Sequence, residues 1–375
     1  MATQPLMKEG LSGPAIDRIA TAFHQVDSAF PVKKFKKLAH SGLEALELKA
    51  RVHHIIAALH AVLPKPLEES APLFFAVKQH WDYGDSNDSL KGFAAWPIID
   101  YIASHGLNHP ELALPLLKHL TPLFSAEFAL RPFLTHHPKI SYTTLQQWLS
   151  DDDPHVRRLV SEGSRPRLPW GTQLPQYIEN PAPVLALLES LKDDPSDYVR
   201  RSVANSLNDI SKNHPDLVIQ TCQRWQKKAS PERLWIIRHA TRTLIKAGHP
   251  GSFALLGHTA NPQLLPPQLR LDKKQLAVGE SLSFNVTLHS SVQQPQSIVL
   301  DYAIHYVKAN GQSSPKTFKL KSFTLAPGER LTISHTRSFK EITTRRYYPG
   351  DHTLELLING SSAGKKQFLL TAPAT

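Results

Sequence analysis

Cysteine is almost absent from this chain: a single residue, Cys222, in 375. One thiol excludes an intramolecular disulfide and any cysteine-based zinc site, and it fits a reducing compartment. No run of about 18 apolar residues occurs, so no transmembrane helix and no membrane partner are expected. The opening MATQPLMKEGLSGPAID lacks the basic-then-apolar layout of a secretory signal, and a cytoplasmic location is expected. Several catalytic signatures are missing too: there is no Gly-rich phosphate loop, no GxSxG elbow and no HExxH. The 20 histidines are scattered. The adjacent pairs His53-His54 and His136-His137 diverge by about 100° on a helix and make poor joint ligands. We therefore expect no metal and no cofactor.

What is present in excess is positive charge. The formal net charge is +11 with a pI near 9.6. Such a surplus favours a polyanionic partner, because Lys and Arg contacts to phosphate release counterions. The excess is uneven: a surplus of seven lies from Pro267 onward and four before it.

Up to His249 the apolar spacing is helical. Ala15–Val26, Pro31–Leu63, Pro72–Trp81, Ser89–Ser104, Pro110–Leu120 and Ser125–Leu134 each read as helix, with Pro64 and Pro66 ending the second. A repeat is superimposed on this pattern. Asp153-Pro154-His155-Val156-Arg157-Arg158 is echoed by Pro195-Ser196-Asp197-Tyr198-Val199-Arg200-Arg201, 43 positions on, and more weakly by Trp235–Leu244. Periods near 40 with two helices per unit are the mark of HEAT-type repeats, which stack into a solenoid. Arginines at one repeat position then line one face, either for a ligand or as a stripe of internal salt bridges.

Beyond the proline-rich NPQLLPPQ at 261–268 the period switches to two. Seven candidate strands, Leu269–Leu271, Ser281–Leu288, Ile298–Lys308, Lys316–Thr324, Arg330–Phe339, His352–Ile358 and Gly364–Leu370, are separated by turn signals such as Asn310-Gly311 and Pro327-Gly328. That is the pattern of an immunoglobulin-like sandwich. The expected organisation is multidomain: an all-α HEAT-like repeat solenoid over 1–260, a linker over 261–268 and an all-β immunoglobulin-like sandwich over 269–375.

One stretch departs from plain repeat chemistry. Asp151–Trp170, DDDPHVRRLVSEGSRPRLPW, starts as an arginine-rich helix and breaks at Ser161-Glu162-Gly163, then sets two arginines, two prolines and Trp170 within seven residues. With Phe124–Phe133 (FSAEFALRPF), the helical repeats and the appended sandwich, this segment resembles the AlkC branch of the bacterial DNA alkylation repair glycosylases, relatives of the AlkD form that lacks the extra domain. The resemblance spans nearly the whole chain. It implies a monofunctional DNA glycosylase of base excision repair. Such an enzyme hydrolyses the N-glycosidic bond of cationic N-alkylated bases, 3-methyladenine and 3-methylcytosine, in duplex DNA without flipping them, unlike most enzymes that act on bases.

A cationic base leaves readily, so the demand on the protein is to stabilise positive charge on the sugar and to place a water, both tasks for carboxylates. Glu127 lies among Phe124, Phe128 and Phe133. Taken alone it reads as a first-turn helix acid behind an N-cap Ser125; the family motif makes it catalytic. Glu162 sits at the helix break, either at the site or as a partner of Arg158 or Arg165. Asp209, by resemblance, is the second carboxylate of the active face; its plain reading is a partner of Lys212. Trp170 is assigned to the lesion or sugar through its ring face, with a buried loop anchor as the alternative. Trp81 and Trp96 read as core. Arg158, Arg165, Arg167, Arg201 and Arg238 are expected at phosphates, where the guanidinium fork binds bidentately. Arg345 and Arg346, in TTRRYY of the sandwich, are expected at the duplex as well, with the loop Lys308–Lys316 around Asn310-Gly311 as the other candidate, and Tyr347 or Tyr348 alternatively a tyrosine corner. The partner expected is double-stranded DNA carrying alkylated bases, bound by a monomer. The rival reading is a non-catalytic HEAT-repeat scaffold for DNA or protein.

Overall fold

The chain folds as helices followed by two packed sheets in a computed structural model that describes residues 6–341 and 346–373. It divides into two compact units. One comprises residues up to Asn213 together with Ser230–Ile236; the other comprises His214–Ala229 and Ile237 onward.

In the first unit, sequence-expected helices appear with shifted ends. The long segment Pro31–Leu63 is broken: Val32–His40 ends before Gly42, whose φ of 79° is left-handed, and Leu48–His60 begins afresh. The segment expected as helix from Ser125 starts only at Leu130. Residues 126–129 form turns, and the hydroxyl of Thr121 accepts the Ala126 amide at 3.1 Å. Ser125 is thus not an N-cap. The helix expected over Ser89–Ser104 runs Trp96–Gly106, with a short 3-10 turn before it.

The repeat has a common local architecture. In its first copy Arg157 Nη1 donates to the carbonyls of Asp151 (2.7 Å) and Asp152 (3.0 Å). In its second, Arg200 Nη1 donates to those of Asp194 (2.7 Å) and Pro195 (2.8 Å). Each arginine reaches back over the acidic turn that starts its own helix, satisfying carbonyls no helix uses. Asp153 caps Pro154–Gly163 by accepting the His155 amide at 2.8 Å. Arg157 also pairs with Asp194 of the next turn at 2.7 Å, tying one repeat to its neighbour. The helices Pro154–Gly163 and Asp197–Ile210 pack together, with Ser161 Oγ donating to Ser202 Oγ at 2.7 Å. The arginines that make the repeat legible at Arg157 and Arg200 are therefore clamps on the fold.

The second unit holds the sandwich. Its strands are β1 (Gln268–Leu271), β2 (Gln275–Ala277), β3 (Ser281–His289), β4 (Gln296–Val307), β5 (Ser313–Leu325), β6 (Arg330–Ser338), β7 (Gly350–Ile358) and β8 (Ser361–Thr371). One sheet is ordered β1-β3-β6 and the other β2-β8-β7-β4-β5. The seven expected strands are present; β2, three residues parallel to β8, is too short to show a period. Phe284, Val286, Tyr302, Ile304, Phe339, Leu356 and Phe368 interdigitate in the core, and Tyr347 belongs to it, 5.4 Å from Phe339 between ring centres. Edge strand β5 carries Pro315, Lys316, Lys319 and Lys321, features that discourage pairing with another sheet. Within this unit Gly248 and Gly360 meet backbone to backbone: a Cβ on Gly248 would stand 2.2 Å from the Gly360 carbonyl oxygen.

Candidate active site

Three acidic side chains from distant parts of the first unit converge on two arginines. Glu127 lies in the turn before Leu130–His136, Glu162 in the last turn of Pro154–Gly163, and Asp209 in the last turn of Asp197–Ile210. Arg158 Nη1 donates to Glu127 Oε2 and to Ser125 Oγ, each at 2.9 Å, and its Nη2 lies 3.7 Å from Glu162 Oε2. Ser125 in turn donates to Glu127 Oε2 at 2.8 Å. Arg165 Nη1 meets Glu162 Oε1 at 2.5 Å while its Nε meets Asp209 Oδ2 at 2.8 Å; Lys212 holds the other Asp209 oxygen at 2.9 Å. The cations and anions form one continuous chain from Glu127 to Lys212.

Packing sets this register. Gly163 follows Glu162 because a Cβ there would stand 2.5 Å from Leu130 Cδ2; without it, the break closes on the helix that follows Glu127. Arg131 completes the closure from below. It is buried and donates through Nη1 to the carbonyls of Gly163 (2.9 Å) and Arg165 (2.8 Å), and through Nε to that of Thr172. Burial first, and the neighbouring Arg165 second, pull its pKa down to about 10.

Arg165 is only 6% exposed. Burial opposes its charge, but Glu162 and Asp209 outweigh that penalty and its pKa stands above the ordinary arginine value. Arg158 behaves likewise: burial opposes, Glu162 and Glu127 prevail. Its guanidinium also lies 4.6 Å from the Tyr198 ring centre. The sequence assigns both arginines to phosphates; the structure turns both inward onto carboxylates, because only a cation can hold three clustered anions together. Asp209, expected to face substrate, is 2% exposed and stands behind Arg165.

A cavity of about 310 Å³ opens over this chain of charges. Glu127, Glu162 and Arg165 form its polar side; Phe93, Trp96, Phe124, Phe128 and Trp170 form most of its apolar wall. Trp96 stacks on Phe124 (5.4 Å) and Phe128 (5.2 Å). Trp96 is buried as expected, yet it is also a wall residue; its apolar helix disguised that role. Phe124 and Phe128 flank Glu127 in sequence and were visible as its neighbours, whereas Phe93 and Tyr198 carried no local signal. Trp170 is 54% exposed, so it is not a buried anchor, and its φ of 64° is strained for a residue with a Cβ.

The other arginines assigned to phosphates have surroundings of their own. Arg167 donates to Asn213 Oδ1 at 3.1 Å. Arg201 is exposed and pairs with Asp197 at 2.7 Å. Arg238 is exposed at the end of Pro231–Ala240. Arg346 is exposed, 5.9 Å from the Tyr348 ring centre. Arg345 lies outside the described residues.

Residues 124–244 match the family described as DNA alkylation repair enzyme, and residues 267–372 match the C-terminal Ig-like domain of the uncharacterised protein YhaZ. The chain is 38% identical over 346 residues to the uncharacterised YhaZ of Bacillus subtilis, covering 91% of this chain and 94% of that one. The structure of Pseudomonas fluorescens alkylpurine DNA glycosylase AlkC, bound to DNA containing an abasic site analog, superposes with a TM-score of 0.84 at 37% identity, covering 98% of this chain and 100% of the other. The chain belongs to the AlkC-type DNA alkylation repair family.

Proposed function

We propose that this protein is a DNA glycosylase that hydrolyses the N-glycosidic bond of cationic N-alkylated bases, 3-methyladenine and 3-methylcytosine, in duplex DNA without flipping them. It acts as a monomer in the cytoplasm, with a glycosylase domain over 1–260, a linker over 261–268 and a DNA-gripping sandwich over 269–375. The observation that carries the reading is Glu127 and Glu162 on one side of a cavity walled by aromatic rings, in a fold shared with an AlkC bound to DNA containing an abasic site analog.

The chemistry follows from the charges. As the C1′–N bond lengthens, the sugar becomes an oxocarbenium cation while the base leaves as a neutral heterocycle. Glu127 and Glu162 supply negative potential where the cation forms, and Glu127 accepts the proton of the attacking water as its oxygen bonds to C1′. Arg158 and Arg165 hold the carboxylates in place, since three acids this close repel one another. Asp209 acts through Arg165 as a positioning residue. Trp170 packs on the sugar or lesion. Arg167, Arg201, Arg238, Arg345 and Arg346 contact phosphates, which position the duplex without reading sequence.

The test is release of 3-methyladenine from methylated duplex DNA by the full chain, with abolition by Glu127→Gln. Full activity in both Glu127→Gln and Asp209→Asn would refute the site. The complete ion pairing of the acids also suits a non-catalytic scaffold, which would bind duplex DNA and release no base.

A further inference from the structure

A second cavity, of about 330 Å³, lies behind the aromatic wall and shares Trp96, Phe128 and Trp170 with the first. Its polar lining includes Asp100, Lys49, His53 and Ser104. Nothing in the reaction described above uses it. Yet Trp96 Nε1–H donates to Asp100 Oδ2 at 2.7 Å, four residues along the same helix. The ring that carries Phe124 and Phe128 is thus held at its edge by a carboxyl on the far side of the partition.

We propose that Asp100 is a positioning residue for the glycosylase reaction: it fixes the Trp96 edge, and its ionised carboxylate adds negative potential behind the wall that faces the reacting sugar and base. The proposal rests on the glycosylase reading. Its physical basis is that a charge in a half-buried setting, partly shielded from water, acts over longer range than one in water. An indole whose N–H is bound to an anion also presents a more negative ring to cations.

The surroundings set when that charge exists. Burial raises the Asp100 pKa from 3.8 to about 7; the Trp96 hydrogen bond and the positive charge of Lys49 oppose the rise without cancelling it. Lys49 and His53 face the cavity from Leu48–His60, and Lys49 Nζ donates to the Trp170 carbonyl. Ser104 comes from the helix of Asp100, and Thr172 and Gly171 from the loop after Trp170; Phe128, Ala129 and Pro132 present no charge. His105, on the Asp100 helix, stacks on His60 at 3.8 Å, and burial lowers its pKa to about 4, so it is neutral where Asp100 titrates. Glu127 and Glu162 line the other side of the partition.

The experiment is single-turnover release of 3-methyladenine from methylated duplex DNA between about pH 5.5 and 8.5, with the full chain and Asp100→Asn. Asparagine keeps an acceptor for the indole and removes the charge. The wild-type rate is expected to rise through about pH 7. The variant should match it at the acid end and fall roughly threefold to tenfold behind at the alkaline end. Equal rates at the alkaline end, or a deficit of the same size at every pH, overturn the proposal. A second readout needs no substrate. Tryptophan emission of the free protein should titrate near pH 7 in the wild type and lose that step in Asp100→Asn and in Trp96→Phe; persistence of the step in both variants also overturns it. If the wild type releases no base at any pH, the glycosylase reading falls and the catalytic half of the proposal with it, and the emission step alone decides the coupling of Asp100 to Trp96.

Discussion

Arg165 Nε and Asp209 Oδ2 lie 2.8 Å apart although 44 residues separate them in the chain. The same guanidinium reaches Glu162 through its other arm, so one buried side chain joins the ends of two successive repeat helices. Removing it takes the nearest cation from two buried carboxylates, leaving Asp209 to Lys212 and Glu162 to the 3.7 Å approach of Arg158. Arg165→Ala should cost about 3–5 kcal/mol, the scale for breaking a buried pair by deleting one partner. Arg165→Lys should cost less, since it keeps the charge and loses the fork. Urea denaturation of the full chain measures both.

Glu127 is half-buried and its loss strands less. Glu127→Gln retains an acceptor for Arg158 and Ser125, so stability should change by under about 1 kcal/mol while base release falls roughly 10²-fold or more. Single-turnover kinetics with urea melts on the same preparation separate the two effects. A parallel loss of both would mean that Glu127 serves the fold alone.

Trp170 combines exposure with a left-handed backbone. Trp170→Gly relieves that strain, and it should leave stability level or raise it slightly. Affinity for duplex DNA containing an abasic site analog should drop about tenfold as the ring contact disappears. Fluorescence anisotropy with labelled duplex would read the loss; undiminished binding would remove Trp170 from the site.

Gly163 is a steric rather than a conformational requirement, because its φ is helical and the clash is with Leu130. Gly163→Ala should cost about 1–3 kcal/mol as an overpacked core site. It should also lower base release, since Leu130 stands three residues from Glu127. Thermal melts and release assays check the two parts.

Asp100 offers a pH test of stability. Its folded pKa, about 7, lies above the 3.8 of the free side chain, so the folded state binds more protons between those values. Wild-type stability relative to Asp100→Asn should therefore fall as pH rises from about 4 to 7 and level off above, where Asp100 is charged in both states. Paired denaturation curves at about pH 5 and 8 give the sign; a constant difference would show that the carboxyl is not held in an apolar setting.

Much of the fold was readable along the chain, because helices and strands repeat their burial every 3.6 or 2 residues and turns leave Gly and Pro behind. The repeat was readable for a local reason too: Arg157 and Arg200 each satisfy carbonyls five and six residues back. The helix boundary at Gly42 follows from its left-handed backbone, whereas the one before Leu130 depends on Thr121 taking the Ala126 amide. Asp100 is not legible as a site residue because, beside Ile99 and Ile102 in an apolar helix, its sequence shows neither its cavity nor its indole partner.

By itself the sequence determined the helical region, the sandwich, the positive charge and the acids and aromatics near the break at Gly163. Only the tertiary structure decided that Arg158 and Arg165 turn inward, that Asp209 lies behind Arg165, and that Trp96 divides two cavities. Charge pairing within one helix is written at spacings of three and four residues. Pairing across stacked repeats depends on which side chains packing brings within about 3 Å, a distance no local pattern encodes.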